Sequence, residues 1–297
     1  AGTRLRVMHL NALADCLARH APLLGRGRGF RCDAGALRWE SRGPRLLAEL
    51  DRHGCDVVGL CEVDRYEDYF EPAMAARGYS SAYKRKRSPA RDGVAVFWRR
   101  DLLEEALHRH VFLERGSRRT RGMQVALLQR LRLNPGSGAT AGSCRSVVVC
   151  AVHLRASADD AYRMQQASLA VEALADFGRG DAQIVLADVN SQAPPGTAAA
   201  GGTASTVFEY FLACGYRCAY RSVGEALPGY TTWAGWSQGD YQAVCDHIFV
   251  SGPGIHVASV LGMPQPGALA TAFPERLPNS VYPSDHMSLV ADLVLEA

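Results

Sequence analysis

Short apolar stretches recur along the whole chain, and most of them are rich in β-branched residues. Gly, Asp and Asn residues bound these stretches, which favours strands over helices. The pattern predicts strands at residues 5–13, 56–63, 93–98, 124–133, 145–154, 182–190, 245–251 and 287–295.

Helical spacing of apolar residues appears between these strands. Residues 158–178 form the clearest amphipathic helix, with two aspartates in the first turn and a glycine beyond the end. We expect a second helix over 35–53, interrupted or restarted at Gly43-Pro44, and a third over 205–215 that begins with Ser205 as its N-cap.

The remaining segments predict loops. Residues 17–34, 134–144 and 193–204 are rich in Gly, Pro or Arg, but none is long enough to separate two domains. No repeat at a solenoid period is present. We therefore predict that residues 1–297 form a single α+β domain with mixed sheets.

Composition indicates an ordinary globular protein, with 47% hydrophobic and 21% charged residues. No apolar run approaches the roughly 20 residues that a membrane span needs, which excludes an integral membrane protein. The net charge of +3 indicates little about partners. Lys84 and Lys86 are the only lysines among 33 basic residues, a bias that first suggests a GC-rich coding sequence.

The nine cysteines include no C-x-x-C pair. This pattern favours buried free thiols in a reducing compartment over a disulfide framework or a zinc site. We expect an intracellular location, in the cytoplasm, or in an organelle if a targeting segment was trimmed ahead of Ala1.

Carboxylate, amide or imidazole side chains follow strand after strand. Because burying an unpaired polar group costs roughly several kcal/mol, this repetition predicts convergence on one shared site. The residues are Asn11, Glu62, His153, Asp188, Asn190, Asp246, His247, Asp285 and His286. Oxygen ligands with imidazole and no thiolate suit Mg²⁺ or Mn²⁺, and such cations serve phosphoryl chemistry. Taken singly, each residue also fits an ordinary cap, turn or structural histidine.

The order of these segments carries a resemblance. HLNAL, GLCEVD, AVHLRA, LADVN, CDHIFVS and LPNSVYPSDHMSLVADL resemble, one after another, the motifs of the endonuclease/exonuclease/phosphatase superfamily. ALRWESR, EVDRYEDYF, RGYSSAY and GYTTW are similar to the nocturnin and carbon-catabolite-repressor deadenylase branch. The resemblance runs from about residue 4 to residue 295.

The resemblance implies a four-layer fold, a two-sheet β-sandwich flanked by helices, with the site at one end of the sheets. It also implies a metal group. Glu62 would be the principal Mg²⁺ ligand beside Asn11, and Asp285 would support the metal. Asp188 would activate the attacking water or hold a second metal, with Asn190 orienting it.

The resemblance further implies a phosphate-handling group. Asp246 would hold His286 in one tautomer, and His286 would bind the scissile phosphate or shuttle a proton. His153 would donate a hydrogen bond to the phosphate.

Some positions depart from the family pattern. Ala187 and Val189 are conservative changes around Asp188. His247 replaces an aromatic residue, and Gln242 and Ser157 stand where nocturnin-like members carry basic residues. These differences argue against nocturnin's dinucleotide specificity and leave the catalytic set intact.

A basic run, YKRKRSP at 83–89, is the main candidate for substrate contacts. The matching loop of the family contacts phosphates, which implies that role for Arg85, with Lys84 and Lys86 nearby. A basic run is equally often a solvated surface, and that alternative stays open. Arg155 and Arg163 are further candidates.

Aromatic and arginine side chains extend the list of candidates. Trp233 and Tyr230 are candidates for stacking on a base, with burial in the core as the alternative. A nucleic-acid track through an early loop is a weaker hypothesis. Its arginines are Arg19, Arg26, Arg28 and Arg31.

The resemblance predicts a monomeric Mg²⁺-dependent phosphodiesterase. Its expected action is that of a 3′–5′ exoribonuclease, a deadenylase that releases 5′-AMP from poly(A) RNA 3′ ends. The main alternative is a nocturnin-like phosphatase that removes the 2′-phosphate of NADP(H). A catalytically silent scaffold that binds RNA or protein, and a DNA endonuclease of the same superfamily, are further alternatives.

Overall fold

The computed structural model describes residues 2–20, 29–114, 124–134, 146–156, 159–193, 206–224 and 227–296. The strands are β1 (Thr3–Asn11), β2 (Val57–Val63), β3 (Tyr79–Arg85), β4 (Gly93–Arg99), β5 (Leu103–Phe112), β6 (Val125–Leu133), β7 (Ser146–His153), β8 (Ala182–Ala193), β9 (Arg217–Cys218), β10 (Thr232–Trp236), β11 (Gly239–Ser251), β12 (Ile255–Val260) and β13 (Leu289–Leu295). The helices are α1 (Asp15–His20), α2 (Ala34–Leu37), α3 (Trp39–His53), α4 (Glu71–Ala76), α5 (Asp160–Phe177), α6 (Thr206–Ala213), α7 (Ala219–Ser222) and α8 (Pro266–Ala272), with a π-helical turn at Tyr66–Phe70.

These strands form two mixed sheets. The first has the order β12-β13-β1-β2-β4-β3, and the second has the order β10-β11-β8-β7-β6-β5, with β9 paired to β11. Only the β1–β2 and β7–β8 pairs among the described strands are parallel. The α+β sandwich of two sheets flanked by helices is therefore confirmed.

The main core lies between the sheets. Gly59 of β2 faces Leu186 of β8 so closely that a Cβ on Gly59 would lie 2.6 Å from the leucine side chain. Only glycine permits this approach. α5 covers the outer face of the second sheet, and α3 covers the first through Leu46 and Leu50. Burial on both faces explains why β7 is a continuous apolar run.

The helix predicted over 35–53 is divided at a different place. Arg38 is extended between α2 and α3, whereas α3 runs through Pro44. The prediction of an interruption at Gly43-Pro44 was wrong because Pro44 lies in the second turn and removes only one backbone hydrogen bond there. The helix ends at Gly54, which has a left-handed φ of 55°.

Other differences concern a short helix and several strands. α1 occupies part of the loop predicted over 17–34, and five strands were not predicted. These strands are β3, β5, β9, β10 and β12. β3 and β5 lie at sheet edges, where partial exposure removes the apolar runs that identify buried strands. Most of the loops at 134–144 and 193–204, and Ser205, lie outside the described residues.

Two expectations from composition can be compared with the structure. Every cysteine in the described ranges is a free thiol. No helix in the described part of the chain has the length and apolar character needed to cross a membrane.

Candidate active site

Polar residues of five strands meet at one end of the sandwich. The parallel pairing of β1 and β2 brings Asn11 close to the end that carries Glu62. In the second sheet, β7 and β8 pair in parallel with His153 beside Asp188, and Asp246 of β11 lies opposite Asp188. The topology therefore collects polar residues from distant parts of the chain.

Asn11 joins the two sheets. Its Nδ2 donates to Oδ2 of Asp188 over 2.9 Å, and its Oδ1 accepts from the backbone N–H of Leu13 over 3.0 Å. The next N–H, of Ala14, donates to Oε2 of Glu62 over 3.2 Å. The loop after β1 thus orients an amide and a carboxylate together.

Strained backbone marks this edge of the sandwich. Glu62, Asn190 and Leu13 adopt left-handed φ values of 56°, 49° and 54°. Such conformations cost about 1 kcal/mol or more for residues with a Cβ, and they concentrate at functional sites. The register of β2 against β4 also shifts between Leu60 and Val63, which directs Glu62 out of the regular ladder.

Glu62 lies in a crowded acidic environment. Burial, Asp92 and Asp285 raise the pKa of Glu62 to about 7, although Lys86 opposes the shift. Burial and Asp246 raise the pKa of Asp188 to about 6. The like charges near Glu62 and near Asp188 favour the binding of a cation at this end of the sandwich.

The donor set fits a hard divalent cation. Oδ1 of Asp285 is buried and has no hydrogen-bond partner among the described residues. Carboxylate oxygens of Glu62, Asp188 and Asp285, with the Asn11 amide, are the ligand types that Mg²⁺ and Mn²⁺ prefer.

A carboxylate–imidazole pair lies on the other side of Asp188. His286 Nδ1 lies 2.8 Å from Oδ2 of Asp246 and 4.0 Å from Oδ2 of Asp188. Although burial opposes it, Asp246, Asp188 and Asp285 raise the pKa of His286 well above its usual value. The short contact with Asp246 is a hydrogen bond, so the Asp188, Asp246 and His286 group is better explained as an imidazolium between carboxylates than as a metal cage.

Asp246 has a second imidazole partner that sequence reasoning missed. His9 Nε2 lies 3.0 Å from Oδ1 of Asp246, and Thr231 Oγ1 donates to Oδ2 over 2.7 Å. Burial opposes it, but His286 and His9 hold the pKa of Asp246 below its usual value. His9 is two residues before Asn11 on β1, and this spacing on one strand face was the available indication.

His153 is in a different electrostatic environment. Its Nδ1 lies 3.2 Å from Nζ of Lys86, and its Nε2 lies 2.9 Å from Nδ2 of Asn190 and 3.6 Å from Oδ2 of Asp188. Burial, Lys86 and His286 lower the pKa of His153 well below its usual value. These surroundings favour the neutral form of His153, whereas those of His286 favour its charged form.

Residues 13–286 match the Endonuclease/Exonuclease/phosphatase family. The chain belongs to this family. A nocturnin from Xenopus laevis is 28% identical over 304 residues, which cover 97% of this chain and 71% of that protein. Human nocturnin is 27% identical over 97% of this chain and 64% of its own length. An Arabidopsis thaliana carbon catabolite repressor protein 4 homolog 6 is 31% identical over 50% of this chain and 20% of its own length.

Two solved structures share the fold of this chain. The human nocturnin catalytic domain with bound sulfate has a TM-score of 0.72 and 24% identity, covering 99% of this chain and 94% of that chain. ANGEL2, a 2′,3′-cyclic phosphatase in complex with adenosine-2′,3′-vanadate, has a TM-score of 0.78 and 20% identity, covering 100% of this chain and 97% of that chain.

The structure separates the three basic residues proposed from the YKRKRSP run of this family member. Lys86 is buried, forms an ion pair with Asp92 and lies against His153. Lys84 Nζ lies 5.6 Å from the ring centre of Phe112. Arg85 is exposed, and its Nε donates to the backbone oxygen of Ala90 over 3.1 Å. Only Lys86 therefore reaches the residues at the strand ends directly.

The two arginines near β7 have local partners. Arg155, two residues after His153, places its guanidinium carbon 5.8 Å from the ring centre of Tyr162. Arg163 of α5 donates to Asp160 over 2.8 Å.

The aromatic candidates are packed against each other. Tyr230 is 0% exposed and Trp233 is 7% exposed, and their ring centres are 5.2 Å apart. Arg276 covers the Trp233 ring at 4.9 Å. Burial in the core, the alternative to base stacking, therefore holds for Tyr230, and Trp233 offers little ring surface.

His247 does not join the site. Successive residues of a strand point to opposite faces, so His247 points away from the side chain of Asp246. Its ring packs 4.9 Å from Phe208 and 5.1 Å from Phe249, and burial lowers the pKa of His247 to about 3. The expected convergence was wrong at this residue.

The described residues of the loop at 17–34 do not form a row of free arginines that could bind nucleic acid. Arg31 is paired with Asp240. Arg26, Arg28 and the side chain of Arg19 lie outside the described residues.

Proposed function

We propose that the protein is a Mg²⁺-dependent phosphodiesterase that removes nucleotides from RNA 3′ ends, as a 3′–5′ exoribonuclease that releases 5′-AMP from poly(A). The observation that carries the proposal is the arrangement at the strand ends. Crowded carboxylates around Glu62 lie beside a charged His286 held by Asp246. In-line attack on phosphorus requires a cation, a group that orients water and donors for the developing charge.

Glu62, Asn11, Asp188 and Asp285 would hold the cation. When bound, the cation neutralises charge on the phosphoryl oxygens and promotes deprotonation of water. The carboxylate of Asp188 accepts a hydrogen bond from the attacking water. Asn190, whose N–H donates to Oδ1 of Asp188 over 3.0 Å, fixes the direction of that carboxylate.

His286 and His153 have different tasks in this proposal. The charged His286 donates a hydrogen bond to a phosphoryl oxygen through Nε2, while Asp246 accepts from Nδ1 and stabilises the positive charge. The neutral His153 accepts from Lys86 at Nδ1, so its single N–H is on Nε2, and this N–H and the Lys86 ammonium donate to the same phosphate.

Exposed cations next to β3 support a polyanionic substrate. Arg85 and Arg87 are exposed immediately around the buried Lys86, and Arg87 lies 4.3 Å from the ring centre of Phe112. An RNA strand that enters the site at its 3′ end would pass phosphates over these side chains.

A second candidate is removal of the 2′-phosphate of NADP(H). The supporting observation is that vertebrate nocturnins match 97% of the chain, whereas the carbon catabolite repressor homologue matches 50%. The attack on phosphorus would be the same for RNA and for NADP(H). Only the contacts between the protein and the rest of the substrate would differ.

The test is hydrolysis of 5′-labelled oligo(A), NADPH and an oligonucleotide ending in a 2′,3′-cyclic phosphate, each with Mg²⁺ and with Glu62→Gln as the blank. A metal-dependent ladder of shortened RNA supports the exoribonuclease. Phosphate release from NADPH without a ladder replaces it with the second candidate. Opening of the cyclic phosphate alone contradicts both, and binding of RNA without any hydrolysis indicates a silent scaffold.

Arg85→Ala is expected to weaken substrate binding more than it slows chemistry. Loss of one exposed phosphate contact should raise KM for oligo(A) about fivefold and leave kcat within about twofold. Arg4→Ala, at the opposite end of β1 from Asn11, is the matched control. Steady-state kinetics at low salt measures both, and an unchanged KM would remove Arg85 from the substrate path.

A further inference from the structure

Arg42 of α3 is a buried cation with an unusual set of partners. Its side chain is 0% exposed, and its described hydrogen bonds go to backbone carbonyls. Nη1 donates to Ala12 over 3.2 Å and to Pro283 over 3.1 Å, and Nη2 donates to Leu13 over 2.8 Å. The guanidinium thus connects two loops that are far apart in the sequence.

The first loop, which follows β1, orients the side chains of Asn11 and Glu62. Ala12 and Leu13 follow Asn11 directly, and Leu13 has the strained φ of 54°. While Arg42 binds their carbonyls, the N–H groups of Leu13 and Ala14 face Asn11 and Glu62.

The second loop contains Pro283 and leads to His286. Pro283 precedes Ser284, whose Oγ donates to the backbone oxygen of Asn11 over 2.6 Å and accepts from the N–H of His286 over 3.1 Å. A displacement of Pro283 would therefore also displace His286, which is three residues away and hydrogen-bonded to Ser284.

Burying a guanidinium without a hydrogen-bonded carboxylate is expensive, and the structure offsets the charge at longer range. Burial lowers the pKa of Arg42, and the nearby Asp15, Asp285, Asp64 and Glu62 oppose that shift. A hydrophobic residue would fill the same volume without the desolvation penalty, so stability alone does not account for an arginine here.

We propose that Arg42 is a positioning residue that holds the loop after β1 and the loop before His286 at a fixed separation. It thereby sets the spacing between the carboxylates around Glu62 and the His286 imidazole. The structural part of this inference stands on the contacts alone, and the catalytic part rests on the proposed function.

The experiment compares Arg42→Met and Arg42→Lys with Arg45→Met. Arg45 lies on the same helix and also donates to three backbone carbonyls, those of Ser41, Asn279 and Ala36. It reaches the segment before His286 only at Asn279, and none of these three bonds goes to the loop after β1, so Arg45 does not connect the two loops. Two quantities are measured: amide hydrogen exchange at Leu13, Ala14 and His286 in the metal-free protein, and kcat with KM on the substrate that the wild type hydrolyses.

In Arg42→Met, we expect exchange in both loops to be at least about tenfold faster. We expect kcat to fall about 10²-fold while KM stays within about threefold, because a displacement near 1 Å is enough to disturb the reacting geometry. Arg42→Lys should recover part of both effects, and Arg45→Met should leave exchange at Leu13 and Ala14 unchanged, because Arg45 does not contact the loop after β1.

Unchanged exchange in both loops of a folded Arg42→Met protein overturns the proposal, as does an equal effect of Arg45→Met. If neither Arg42 variant folds while Arg45→Met does, Arg42 serves the fold alone and the positioning role is rejected. If the wild type hydrolyses none of the tested substrates, the proposed function fails, and the exchange data still decide whether Arg42 holds the loops.

Discussion

Glu62→Gln is expected to lower kcat/KM with Mg²⁺ by about 10³-fold or more, because a neutral amide is a poor ligand for a hard cation. The glutamine oxygen can still accept from the N–H of Ala14, so the loop after β1 should keep its position. The assay is hydrolysis of the preferred substrate over a range of Mg²⁺ concentrations. Glu67→Gln, on the nearby π-helical turn, is the control.

The same substitution should stabilise the metal-free protein. The folded pKa of Glu62 is about 7 against an ordinary value of 4.5, so ionisation of Glu62 disfavours the folded state. The stability associated with the protonated carboxyl is complete below pH 4.5 and is lost as the pH rises to about 7. Thermal unfolding without metal should therefore show a Glu62→Gln advantage that is absent below pH 4.5 and full above about pH 7.

Either of two results would contradict this account of Glu62. Retained metal-dependent activity in Glu62→Gln would exclude Glu62 as the principal ligand. If Glu62→Gln raised the unfolding temperature equally at all pH values, the surroundings would not raise the pKa of Glu62 in the folded protein.

Asp246→Asn is expected to have the second large effect, a fall in kcat of about 10³-fold to 10⁴-fold. One asparagine oxygen cannot accept from His9, His286 and Thr231 as the carboxylate does, and its amide repels a charged imidazole. His286 then loses its orientation and the charge that keeps it protonated. Single-turnover measurements at saturating substrate separate this loss from weaker binding.

Asp292→Asn provides the comparison for Asp246→Asn. Asp292 is paired with Arg6 on β1 near the opposite end of the sheet from Asn11. The Asp292→Asn substitution should leave kcat unchanged. A fall of less than about tenfold in Asp246→Asn would show that His286 does not depend on this carboxylate.

The sequence predicted the buried part of the fold well. Continuous apolar runs mark β2, β4, β7 and β8, because both faces of these strands are covered. The polar residues that end these runs are brought together in the structure, while their chemical roles stay predictions. The resemblance supplied the order of the motifs, and the topology explains why that order converges.

Other parts of the site had weak or no indications in the sequence. Strand alternation alone separates His247 from Asp246 and places His9 on the face of Asn11, but this requires the strand boundaries. The burial of Lys86 depends on Asp92 across a turn. Arg42 ends the ALRWESR segment, but the role of Arg42 had no indication in the sequence, because its partners are backbone carbonyls of remote loops.

The position of β1 in the first sheet has a consequence for the order of folding. β1 lies between β2, which begins at Val57, and β13, which begins only at Leu289. During synthesis, β1 must wait for β13 before both of its edges are paired. His286 lies three residues before β13, so a nascent chain that stops short of this segment lacks both the second partner of β1 and the imidazole beside Asp246.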